Sequence, residues 1–190
     1  MMPDNRFDAR MTATHRDRFG RTINRDHSTT LAYGIPLLTI LLGSLTPLLP
    51  IIASGPVIPP FGFMILLAWR LVRPGLLPLW AGLPLGAFDD LFSGQPLGSA
   101  IMLWSLAMLA IEAIEARFPW RGFWQDWTTA SALLTAYLIL GAFIASAGID
   151  LTLIPLILPQ LMLSVLLFPI IARMVAFFDR VRLLRIKVVD

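Results

Sequence analysis

Across residues 31–150 the chain carries six carboxylates, four arginines and no lysine or histidine, so any chemistry in its middle must be carried by acids. Asp89 and Asp90 are the closest pair. Adjacent helical residues point about 100° apart, which is poor geometry for two carboxylates sharing one proton, and no aspartyl-protease dyad is expected. Glu112 and Glu115 are three apart on one helical face, close to Arg117, and read as a surface pair with snorkelling stems. Both histidines, His15 and His27, lie in a polar N-terminal stretch, and there is no cysteine. That excludes a disulfide framework, thiolate catalysis and a cysteine-based metal site. No Gly-x-Ser-x-Gly, His-Glu-x-x-His or P-loop pattern occurs. The residues offer no catalytic constellation, no metal site and no cofactor site.

The elements that position these acids are set by composition. Of 190 residues 57% are apolar and 14% charged, with a mean hydropathy of +0.75. A soluble domain of this length needs more polar surface than that, and the chain reads as an all-α, polytopic integral membrane protein. A bilayer core takes about 20 apolar residues per helix, and six stretches bounded by charges, Pro or Gly qualify: 31–53, 57–72, 76–92, 97–111, 128–147 and 151–178. The second and third are short. The first follows about 30 polar residues without a small-residue cleavage site, and is expected to remain in the mature protein.

Cytoplasmic loops retain Lys and Arg. All fifteen basic residues fall in four places: Arg6 to Arg25 in the N-terminal tail, Arg70 and Arg73 after span two, Arg117 and Arg121 after span four, and Arg173 to Lys187 at the C-terminal end. Six spans put all four on the cytoplasmic side, whereas five spans would put the C-terminal cluster outside. The expected organisation is therefore a flexible polar tail over 1–30, a six-helix domain over 31–178 and a basic tail over 179–190, with both ends cytoplasmic. Trp69 and Trp80 flank the first inner loop and Trp120, Trp124 and Trp127 crowd the second, as interfacial anchors do. Pro36, Pro47 and Pro50 in span one, and Pro155, Pro159 and Pro169 in span six, should bend or break those helices. Either they are simply kinked, or they surround a substrate site, with Gln160 the polar group that would serve it.

Residues 60–98 are the most specific stretch. Arg73 and Pro74 stop a helix on the cytoplasmic side, Gly82 and Gly86 form a small-xxx-small pair that permits close helix approach, and Gly94 to Gly98 turns the chain tightly outside. Asp90 is placed to cap either Ser93 or the start of span four.

This stretch resembles the MreD family of bacterial rod shape-determining membrane proteins. The carrying residues are the Trp69-Arg70 and Arg73-Pro74 turn, then Gly86, Asp90, Leu91, Ser93, Gly94, Pro96, Leu97 and Gly98, with Asp90 matched by its spacing of four after Gly86. Pro169 followed by Arg173 fits the same plan. The resemblance implies a non-enzymatic component of the cell-elongation machinery in the bacterial inner membrane, working with MreC, with RodA and its class B transpeptidase, and indirectly with the actin-like MreB, to direct lateral peptidoglycan synthesis. It also implies a fold like that of the vitamin-binding S-components of energy-coupling transporters. On this reading Arg73, Pro74, Gly82, Gly86, Asp90, Ser93, Gly94, Pro96, Gly98 and Gln160 shape a partner contact, and nucleic acid is not a partner. The alternative is the substrate-binding membrane subunit of a small-molecule transporter, with a pocket open to the outside and a cytoplasmic ATPase partner. A membrane enzyme of lipid or cell-wall metabolism is a third class, lacking an identifiable metal or general base.

Overall fold

The computed structural model describes residues 29–49, 58–118, 122–146 and 153–182, and among these residues six α-helices follow one another. They are α1 (Thr29–Ser44), α2 (Phe61–Val72), α3 (Gly82–Phe92), α4 (Ser99–Arg117), α5 (Phe123–Ala145) and α6 (Leu153–Arg182), with 3₁₀ turns at Thr46–Leu48 and Leu79–Ala81. No strand occurs among the described residues.

The centre of the bundle is α2. It is apolar on every side except at Arg70, and Gly62 to Leu71 are all buried. A helix without a polar face belongs in a core, and here α1, α5 and α6 pack around it. Phe63 stacks on Tyr137 of α5 with ring centroids 4.3 Å apart and also meets Trp104 of α4 at 5.8 Å. Pro74 ends α2 as expected, because a residue before proline is pushed out of helical geometry: Arg73 is at φ −132°, ψ 82°, and Gly75 follows at φ 80°.

Among the described residues, only α4, α5 and the Pro155–Val181 stretch of α6 are long and apolar enough to cross a membrane by themselves. The expected spans over 57–72 and 76–92 contain helices of 12 and 11 residues. At 1.5 Å per residue these are about 18 and 16 Å long, well short of a hydrocarbon core of about 30 Å. The prolines account for part of the shortening: Pro59 and Pro60 delay α2 until Phe61, and Pro78 precedes the 3₁₀ turn that leads into α3.

Proline acts differently in the two long apolar segments. The first ends at Ser44 and drops into the 3₁₀ turn containing Pro47, while Pro50 lies outside the described residues. Helix α1 does run through Pro36 but ends before Pro47, whereas α6 runs unbroken through Pro159 and Pro169. Pro169 leaves the Val165 carbonyl without its usual helical donor, and the indole Nε1–H of Trp127 on α5 supplies one at 3.1 Å. Trp127 therefore has a packing role as well as a place near the helix end. Trp69 departs further from expectation, since it is fully buried and donates to the Thr39 hydroxyl of α1 at 2.9 Å. Helix α6 also continues to Arg182, four residues past the expected boundary at 178. Of the expected flexible polar tail over 1–30, residues 1–28 lie outside the described residues, as do residues 183–190 of the expected basic tail.

A candidate functional site at one end of the bundle

Partners across the bundle sort the helix ends into two groups. Arg70 in the last turn of α2 and Arg73 just after it, Glu112 and Glu115 near the end of α4, and Asp179 near the end of α6 meet at one end. Ser44 ending α1, Pro60 starting α2, Asp89 and Ser93 ending α3, Ser146 ending α5 and Gln160 early in α6 gather around cavities at the other.

At the first end Arg70 is buried, 2% exposed, and pairs with both Glu112 and Glu115, the latter at 3.1 Å. The sequence had placed Arg70 in a loop and the two glutamates on a surface beside Arg117. Their spacing of three does put both on one face of α4, but that face is turned to α2. Burial of an arginine is costly unless its charge is matched, and two carboxylates on one helix face supply the match. Beside this cluster the Nε–H of Arg73 donates to Asp179 Oδ2 at 2.8 Å, which ties the turn after α2 to α6.

The α3–α4 hairpin is the most fully specified part of the molecule. Asp90 Oδ1 accepts from the Ala100 amide at 2.8 Å and from the Ser99 hydroxyl at 3.3 Å. Its Oδ2 accepts from the Gly98 and Ile101 amides at 2.9 and 3.2 Å. One buried carboxylate thus satisfies the first turn of α4, where free amides and the helix dipole favour a negative charge. Of the two capping targets read from the sequence, it serves the start of the next helix and not Ser93. Gly94 and Gly98 take left-handed φ angles of 68° and 94°, Pro96 accepts from the Ser99 amide at 3.0 Å, and Leu97 is exposed.

Gly82 and Gly86 face α4 along the same hairpin. A Cβ on Gly86 would lie 2.7 Å from the Ala100 carbonyl oxygen and 2.8 Å from the Ile101 Cα, and one on Gly82 would lie 3.0 Å from the Ser105 backbone. The pair is a close-approach surface between two helices of this chain. A second such crossing, not singled out from sequence, brings Gly43 of α1 onto Gly62 of α2, where a Cβ on Gly43 would lie 3.0 Å from the Gly62 Cα. The signal was present as Gly43-Ser44 facing a helix that begins Phe61-Gly62.

The cavities have two lobes of about 570 and 240 Å³ that share Pro60, Ser93, Gln95, Tyr137 and Gln160 in their walls. Gln160 is held by a 2.6 Å hydrogen bond from its Nε2 to the Ile58 carbonyl. Asp89 lines the smaller lobe. Of the residues predicted from sequence, the structure gathers Ser93 and Gln160 here and Gly82, Gly86, Asp90, Gly94, Pro96 and Gly98 in the adjoining hairpin. Arg73 and Pro74 are at the opposite end. Tyr137 and Gln95 were missed, because a lone tyrosine in an apolar helix and a glutamine in a turn carry no sequence signal of their own.

No protein-family model matches this chain, and no curated protein or solved structure matches it.

Proposed function

We propose that the chain is a non-enzymatic scaffold subunit of the cell-elongation complex of the bacterial inner membrane, holding MreC and the RodA–transpeptidase pair where lateral peptidoglycan is made. The observation that carries this reading is the α3–α4 hairpin. The residues that resemble the MreD pattern, Gly86, Asp90 and Gly98, are the ones that lock α3 to α4. Their spacing therefore answers to one rigid unit that a partner can dock against.

The reading includes six membrane passages with both ends cytoplasmic. It is supported by the alternation of helix ends between the ion-paired and cavity ends, and α2 and α3 cross with the non-helical segments that adjoin them. Deleting the gene should turn rod-shaped cells round, with rescue by the wild-type chain; cells that keep their shape and wall-synthesis pattern without it would sink the proposal. Because the chain has no cysteine, single cysteines at Leu97 and Phe118 report the topology: an impermeant maleimide should label the first in intact spheroplasts and the second only after permeabilisation.

A second reading, the ligand-binding membrane subunit of a small-molecule transporter, is favoured by the cavity at the Gln160 end.

A further inference from the structure

The cavity beside the α3–α4 turn has a chemically lopsided lining. Asp90 spends its carboxylate on the start of α4. Asp89, one position earlier and about 100° round the helix, is buried and lines the smaller lobe, with the hydroxyls of Ser44 and Tyr137 near it. Among the described residues neither lobe is lined by an arginine, lysine or histidine, and Asp89 is the one acid in either lining. A single carboxylate is too few ligands for a metal site. The remaining polar side chains are neutral: the amides of Gln95 and Gln160, the hydroxyls of Thr46 and Ser146, and the hydroxyl of Ser93, which is buried without a hydrogen-bond partner. The larger lobe is otherwise lined by apolar residues, among them Leu138, Ala142, Leu156 and Ile157.

We propose that this cavity binds a small organic cation, an ammonium-bearing molecule with a compact apolar body. Its charge sits on Asp89, its body lies against Leu138, Leu156 and Ile157, and the amides and Ser93 orient any further polar edge. The size fits, since a lobe of about 570 Å³ falls within the range of small-molecule sites. A buried carboxylate without a cation is unfavourable, and an ammonium group both neutralises it and donates to it. The site depends only on the cavity, so it holds whether the chain serves as a scaffold or as a transport subunit.

The test uses the full chain in detergent, with benzylamine as probe and benzyl alcohol as its neutral counterpart of the same shape, titrated by saturation-transfer-difference NMR. The wild type should favour benzylamine by ~10-fold or more, and Asp89→Asn should weaken benzylamine by ~10-fold or more while changing benzyl alcohol little. Gly141→Leu fills the larger lobe from a position where an added Cβ meets only ordinary contacts, and should weaken both probes. No preference for benzylamine in the wild type overturns the proposal, as does a preference that survives Asp89→Asn. Binding unchanged in Gly141→Leu overturns it too, by placing the probe elsewhere. Should Asp89→Asn fail to fold, the wild-type preference and the Gly141→Leu loss still decide the matter.

Discussion

Trp127 on α5 donates its indole N–H to the Val165 carbonyl of α6 at 3.1 Å, the carbonyl that Pro169 deprives of its helical partner. A proline is thereby accommodated in a 30-residue helix by a side chain from its neighbour. Removing the indole N–H with Trp127→Phe should destabilise the fold by about 1–2 kcal/mol, because the carbonyl is then left without a donor. In a Pro169→Ala background the backbone amide takes over, and Trp127→Phe should cost less, with a coupling of about 0.5 kcal/mol or more. Thermal unfolding of the four proteins in one detergent reads the cycle, and strictly additive effects would contradict the assignment.

Gly86→Ala places a methyl group against the Ala100 and Ile101 backbone, which cannot move aside as a flexible side chain would. The expected destabilisation is about 1–3 kcal/mol. Gly34→Ala, inside α1, where nothing lies within 4 Å of the added carbon, is the control and should be neutral or slightly stabilising. Equal melting temperatures for the two variants would show that α3 and α4 do not approach so closely.

Asp90 and its chemical neighbours give a graded series. Asp90→Ala leaves the amides of Gly98, Ala100 and Ile101 without their acceptor and should cost about 2 kcal/mol or more. Asp90→Asn keeps one acceptor oxygen and should cost less. Amide exchange in the first turn of α4 checks the cause: it should accelerate in Asp90→Ala, and unchanged protection there would argue against a capping role.

The buried arginine predicts an order. Arg70→Met leaves Glu112 and Glu115 facing each other without a cation, and loss of one partner from a buried pair costs about 3–5 kcal/mol. Glu112 is half exposed and Glu115 mostly covered, so Glu115→Gln should be the costlier of the two glutamate changes and Glu112→Gln the mildest. Chemical or thermal unfolding ranks them; Arg70→Met as mild as Glu112→Gln would show that the pair contributes little.

What could be read in advance follows from the range of the interactions. The helical, membrane-type character, the stop at Arg73-Pro74, the close approach at Gly82 and Gly86, and the capping acid before the 94–98 turn all depend on residues within a few positions of one another. The burial of Arg70 does not. Its partners lie 42 residues away or more on α4, and basic residues near helix ends read locally as loop markers. Likewise the donor that lets α6 pass through Pro169 comes from Trp127, 38 residues from the carbonyl it serves. The cavity draws on α1, α2, α3, α5 and α6 together, and of the predicted residues only Ser93 and Gln160 reach its walls, Ser93 through the turn after α3 and Gln160 as a glutamine among prolines in an apolar helix.

The central claim, a scaffold within the elongation machinery, is tested most directly by purifying a tagged copy from native membranes in mild detergent and identifying its companions by mass spectrometry. The account predicts MreC, RodA or the class B transpeptidase in the wild-type sample, with recovery reduced for Gly86→Leu and for Asp90→Arg. Transporter ATPases in their place, or none of the elongation proteins, would contradict it.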